Sequence, residues 1–131
     1  MNLSQAVADY GQRIGRPDLA LPSQGPVVVS SEEDISVLLE TDDEHLLAYA
    51  LVPAPYVSAQ VLLAMLQASD LRRQPAHAWP VQVGGRGQGA DWVLMLLVRI
   101  PERQASAQAL EQALAWLMQW KQEHVPFGAT R

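Results

Sequence analysis

Apolar positions along the chain fall into two periods. Leu3, Val7, Tyr10 and Ile14 recur at i, i+4, i+7 and i+11, one stripe of a helix, and predict a first helix over Ser4–Ile14. Gly11 weakens that helix, and Gly15 and Pro17 stop it. A Pro-rich loop, Arg16–Gly25, leads into three predicted strands. Val27–Ser30 is short and β-branched, Ile35–Glu40 carries apolar residues at 35, 37 and 39, and His45–Val52 is almost continuously apolar. The acidic links Ser31–Asp34 and Thr41–Glu44 are short enough for an antiparallel meander.

Pro53 and Pro55 end the third strand and suit the first turn of a second helix, predicted over Tyr56–Leu71. Between Val57 and Ala68 this helix has no polar face, since Ser58, Gln60 and Gln67 are its only polar positions. A helix apolar all round must be covered all round. One sheet and two other helices of a small chain cover it poorly, and a second subunit is the simplest cover. Arg72–Ala78 reads as a loop. Trp79–Val83 reads as a fourth strand, placed at an edge by Pro80. Gly84–Ala90 reads as a flexible hairpin tip. Trp92–Ile100 is the fifth strand, apolar on both pleat faces until Arg99, so both faces want cover. After a turn at Pro101–Gln104, Ser106 caps a third helix whose core stripe is Leu110, Ala113, Leu114 and Leu117. Trp116 and Trp120 meet at i and i+4 on its side, Pro126 ends it, and Phe127–Arg131 is a tail. The predicted fold is α+β in the order α-β-β-β-α-β-β-α: a twisted antiparallel sheet with helices packed on it, assembled as a homodimer.

Length agrees with one domain over 1–131 that builds its core without covalent staples. Cysteine is absent, which removes disulfides, thiolate nucleophiles and cysteine-ligated metals. Met1–Ala20 lacks the basic and apolar regions of a signal peptide, and the longest apolar runs, Leu46–Val52 and Trp92–Val98, are far short of the ~20 residues that span a bilayer. A protein neither exported by a standard route nor embedded is expected. The net charge of −5 is uneven. Residues 1–70 hold ten acids and two bases, a charge of −8, whereas 71–131 hold four acids and seven bases, a charge of +3. Seven of those ten acids lie in Glu32–Glu44. An acidic first half disfavours nucleic acid and anionic membrane as partners and favours a basic polypeptide.

Catalytic motifs are missing. His45, His77 and His124 have no second His or Cys at ligand spacing, so no metal is expected. The run Gly84-Gly-Arg-Gly-Gln-Gly lacks phosphate-loop spacing and is followed by a strand pattern. No nucleophile elbow occurs. The carboxylate pairs Glu32–Asp34 and Asp42–Glu44 fall in turns, where nothing raises a pKa for acid–base work. The four tryptophans lack the interleaved basic residues of a base-stacking surface, Lys121 being the only lysine. What remains is apolar surplus, the mark of an interface. The expectation is a binding protein, not an enzyme, with no cofactor. An enzyme or ligand-binding domain would need a closed polar pocket built on His45 or His77 with carboxylates.

Three local cues join this order, length and acidic pI of about 5.0. They are the strand–acidic turn–strand run Ile35–Val52, the helix segment Leu62-Leu-Ala-Met-Leu-Gln-Ala-Ser-Asp-Leu71, and the closing helix Leu110–Trp120. In these the chain resembles the class I type III secretion chaperones of bacteria, small acidic homodimers that bind one or a few effector proteins. The resemblance spans nearly the whole chain. It departs where the family's second-helix motif often ends in Asn-Leu and this chain has Ser69-Asp70-Leu71, and where Arg72–Trp79 and the glycine hairpin are more polar and looser.

The resemblance implies a homodimer of the bacterial cytoplasm that works without ATP. Its two-fold interface maps onto Val57, Val61, Leu62, Met65 and Leu66, with Val81 and Val83. The effector's N-terminal chaperone-binding segment is then held in extended form, soluble and competent for secretion, a form that can add a strand at a sheet edge. Its contacts map onto Leu3, Val7, Tyr10, Ile14, Val27, Val29, Leu38 and Leu47, part of which are ordinary core positions. The alternative is a dimeric α+β adaptor or scaffold that binds a folded partner.

Overall fold

Side-chain caps set all three helix starts. Asn2 Oδ1 accepts the Gln5 N–H at 2.7 Å, Ser58 Oγ accepts the Val61 N–H at 3.1 Å, and Ser106 Oγ accepts the Ala109 N–H at 3.0 Å. Each satisfies a backbone donor that the first helical turn leaves without a partner. The computed structural model describes residues 2–32, 35–74 and 79–125, in the order α1 (Leu3–Arg13), β1 (Val27–Glu32), β2 (Ile35–Asp42), β3 (His45–Pro53), α2 (Ala59–Ala68), β4 (Gln82–Arg86), β5 (Val93–Pro101) and α3 (Ala107–His124). Glu33 and Asp34 of the first acidic turn, His77 and most of its loop, Pro126 and the tail Phe127–Arg131 lie outside the described residues.

The five strands form one antiparallel sheet in the order β1-β2-β3-β5-β4, so β4 is an edge strand as Pro80 predicts. Period-2 alternation divides its two faces. Val37 and Leu39, then Leu46, Ala48, Ala50 and Val52, then Leu94, Leu96, Val98 and Ile100 lie on one face in the core. Leu110, Ala113, Leu117 and Trp120 of α3 pack over β3 and β5, and Leu3, Ala6, Val7 and Tyr10 of α1 complete this core against α3. Each fully buried Leu or Val here contributes about 1.5–3 kcal/mol.

Most element bounds fall within two residues of the sequence expectation, and the larger differences lie at the second helix and the fourth strand. The second helix begins at Ala59 and not Tyr56, because Tyr56 has a left-handed φ of 55° and Ser58 takes the cap. It ends at Ala68 rather than Leu71, where the Ser69 hydroxyl donates to the Leu66 carbonyl at 2.8 Å. The fourth strand runs over Gln82–Arg86 instead of Trp79–Val83, so Gly84 and Gly85 belong to the ladder and not to a loose tip. The cause is cross-strand packing: the Trp92 indole lies directly on Gly85, and a Cβ there would collide with it.

Two polar side chains brace the ends of this framework. The Gln74 amide donates to Ser69 O (2.9 Å) and Val81 O (3.1 Å) and accepts from Val81 N–H (2.8 Å), tying the end of α2 to the entry of β4. Arg16 Nη1 donates to the carbonyls of Val28 (3.1 Å) and Val29 (2.6 Å) on edge strand β1. Val28 and Ser30 pair with consecutive residues of β2, which leaves Val29 as the extra residue of a bulge.

Candidate functional site

The second face of the sheet is apolar as well, and it stands apart from the core. Its rows across the central strands are Leu38–Tyr49–Leu97, Ser36–Leu51–Met95 and Glu40–Leu47–Arg99, with Val28 beside Leu38 on β1. Leu47, Leu51, Val93, Met95 and Leu97 are only half-buried, whereas their neighbours at 46, 48, 50, 52, 94, 96 and 98 are fully buried on the helix side. Val28 is 46% exposed. A band of aliphatic side chains therefore crosses four strands outside the main core, with Leu38 and Tyr49 buried at its centre and half-buried residues around them.

One end of the band is polar. Tyr49 Oη donates to Glu40 Oε1 at 2.9 Å. Burial pushes the Tyr49 hydroxyl up to about 12, Glu40 adds to the rise through the hydrogen bond and its charge, and Arg86 opposes it. Arg99 Nη2 donates to Asp42 Oδ2 at 3.1 Å, a half-exposed ion pair worth little stability. An apolar strip with an ionic border orients an extended polypeptide: the strip supplies affinity, and the border supplies register and selectivity.

A second apolar surface lies on α2. Met65 is its one buried residue, at 1% exposure, while Leu63 and Leu66 are 56% and 54% exposed. Tyr56, just ahead of the helix, is 77% exposed. No charged residue occurs from Leu46 to Ser69.

The structure divides the expected partner-binding residues. Leu38, buried at 8% exposure, and the half-buried Leu47 lie on the sheet face opposite the main core. Leu3, Val7 and Tyr10 turn into the α1–α3 core, where burial and the charge of Glu111 raise the Tyr10 hydroxyl. Val29 is buried at the bulge, Val27 is half-buried against the core, and Ile14, at 39%, is exposed at the end of α1. The helical stripe of α1 is thus a core stripe up to Tyr10. Among the expected interface residues, Leu66 is exposed, and Val57, Val61, Leu62 and Val83 are half-buried against the chain's own core. Met65 and Val81 lie inside the single chain, each 1% exposed. Tyr49, Leu51, Met95, Leu97 and Val28 were not anticipated. Their signal was present in the doubly apolar pattern of the third and fifth strands.

Among the described residues no closed polar pocket forms on His45 or His124, and His77 lies outside them. His45 lines an open cleft of about 420 Å³ with Glu44, Pro101, Glu102 and Arg103. Among the described residues no three His, Asp or Glu side chains converge as metal ligands. A groove of about 500 Å³ between α2 and α3 is bordered by Ala64, Ala68, Trp116 and Trp120.

No protein-family model and no curated protein matches this chain. Solved structures do. A chain of the ExsC–ExsE complex superposes with a TM-score of 0.72 at 22% identity, covering 100% of both chains. A chain of the HopA1–SchA chaperone–effector complex gives 0.66 at 17% identity, over 91% of this chain and 89% of that one. A chain of the heterodimeric ExoU–SpcU complex from the type III secretion system of Pseudomonas aeruginosa gives 0.64 at 19% identity, over 95% of each. The fold is that of the type III secretion chaperones. No described helix is long and apolar enough to cross a membrane.

Proposed function

We propose that this chain is a type III secretion chaperone of the bacterial cytoplasm that holds an effector's N-terminal chaperone-binding segment in extended form on its open sheet face. The observation that carries the reading is the half-buried row of Leu47, Leu51, Met95 and Leu97 around Leu38 and Tyr49, on the sheet face outside the main core and beside Glu40, Asp42 and Arg99. A folded domain that exposes such a band needs an apolar partner. An extended segment laid there keeps its own apolar residues from premature collapse, and no step requires catalysis, a cofactor or nucleotide. The chaperone–effector complex of similar fold supports the assignment.

The neutral face of α2 is the self-association surface in this reading. Two identical copies bring like residues together across a two-fold axis, so a face without charge pairs with itself free of repulsion. The charged border of the sheet face suits a different polypeptide.

The test is capture from the native cell followed by truncation of the captured client. The chain is expected to retain a short N-terminal client segment as firmly as the intact client, and Leu97→Asp to release both. Retention of only the intact, folded client overturns the reading in favour of an adaptor for folded partners.

A further inference from the structure

Ala54–Pro55–Tyr56–Val57 is a tight turn closed by the Val57 N–H to the Ala54 carbonyl at 3.2 Å. Pro55 takes its second position, and the third, Tyr56, has φ of 55°. A turn with Pro second and positive φ third favours glycine or asparagine in the third place. A bulky residue with positive φ is a conformational outlier, and such strain gathers at sites of function. The chain places a tyrosine there, 77% exposed, so its ring adds little to the chain's own core.

The presentation is fixed from below. The Tyr56 N–H donates to Gly89 O at 2.9 Å, and the Ala54 N–H donates to Trp92 O at 2.9 Å, so two backbone bonds clamp the turn to the β4–β5 connection. The ring lies against the open side of Gly89, with Cε1 3.5 Å from where a Cβ would stand. One ring face rests on backbone and the rest faces solvent. A rigid aromatic loses little conformational entropy on binding, which is why tyrosine recurs as an anchor at interfaces.

We propose that Tyr56 is an aromatic anchor of the interface between two copies of this chain, held in a strained turn so that its ring is ordered before association. This rests on the self-association reading above. The same uncharged segment carries Tyr56, Leu63 and Leu66, and the chain's acids and bases lie outside it. A second copy is therefore the occupant that meets no charge mismatch, whereas an effector strand is served by the ion-bordered sheet face.

Sedimentation of the intact chain tests this with Tyr56→Asn, which keeps a residue suited to the turn and removes the ring. The dimer dissociation constant is expected to rise about tenfold or more, and Tyr56→Phe to leave it within about threefold of the parent. In a Leu66→Asp background, which reports the single chain, Tyr56→Asn is expected to leave the thermal midpoint unchanged or raise it. A dimer whose constant ignores Tyr56→Asn overturns the anchor but leaves self-association standing. A fall in the single-chain midpoint that accounts for the weaker dimer also overturns it, because the ring then serves the fold. A parent chain that stays monomeric at about 100 µM overturns the anchor and the self-association reading together.

Discussion

The Tyr49 hydroxyl donates to the Glu40 carboxylate at 2.9 Å across β3 and β2, on the face of the sheet opposite the main core. The bond lies where the apolar band meets its ionic border. Burial first, and the Glu40 hydrogen bond and charge second, favour the neutral phenol, so the folded state keeps the Tyr49 proton to about pH 12, against 10 for an ordinary tyrosine. The stability that comes with the buried, hydrogen-bonded neutral phenol is fully present below pH 10 and is lost as pH rises from 10 through about 12. Tyr49→Phe should lower unfolding free energy at neutral pH by about 1 kcal/mol. It should also flatten the alkaline decline, as read by denaturant titrations at stepped pH, with tyrosinate absorbance reporting the late ionisation.

Adjacent residues on α2 should behave in opposite ways. Met65 is 1% exposed, so Met65→Ala should destabilise the chain by about 2–5 kcal/mol in denaturant unfolding. Leu66 is 54% exposed, so Leu66→Asp should leave the single chain within about 0.5 kcal/mol while abolishing dimers in sedimentation velocity. A charge at Met65 would act first by unfolding the chain, not by separating subunits.

Gly11 is held by the fold and not tolerated despite it. A Cβ there would stand 2.5 Å from Arg16 O and 2.8 Å from Leu19 Cβ, where the chain turns back after α1 and Leu19 enters the core. Arg16 N–H also donates to Gly11 O at 2.7 Å. Gly11→Ala improves helix propensity by about 1 kcal/mol, but the collision should outweigh it, with a net loss of about 1–3 kcal/mol. Thermal unfolding should show a lower midpoint; a higher one would mean that the Arg16–Leu19 turn moves freely.

By itself the sequence determined the element order, the sheet's antiparallel character, the edge position of β4 and the core stripe of α3, because period, proline and capping residues act locally. It also carried the apolar surplus: a strand apolar at both parities, such as Trp92–Ile100, exposes a second face whatever it packs against. The tertiary structure alone decided which side the helices cover. That choice sent Met65, Val81, Leu3, Val7 and Tyr10 into the main core and left Leu47, Leu51, Met95 and Leu97 half-buried on the other face, around Leu38 and Tyr49. Burial depends on which neighbours arrive from distant parts of the chain, and an apolar residue reads the same in one dimension whether its partner is its own core or another molecule. The left-handed Tyr56, the Trp92 ring on Gly85 and the collision waiting at Gly11 likewise arise from contacts between segments that the order of residues keeps apart.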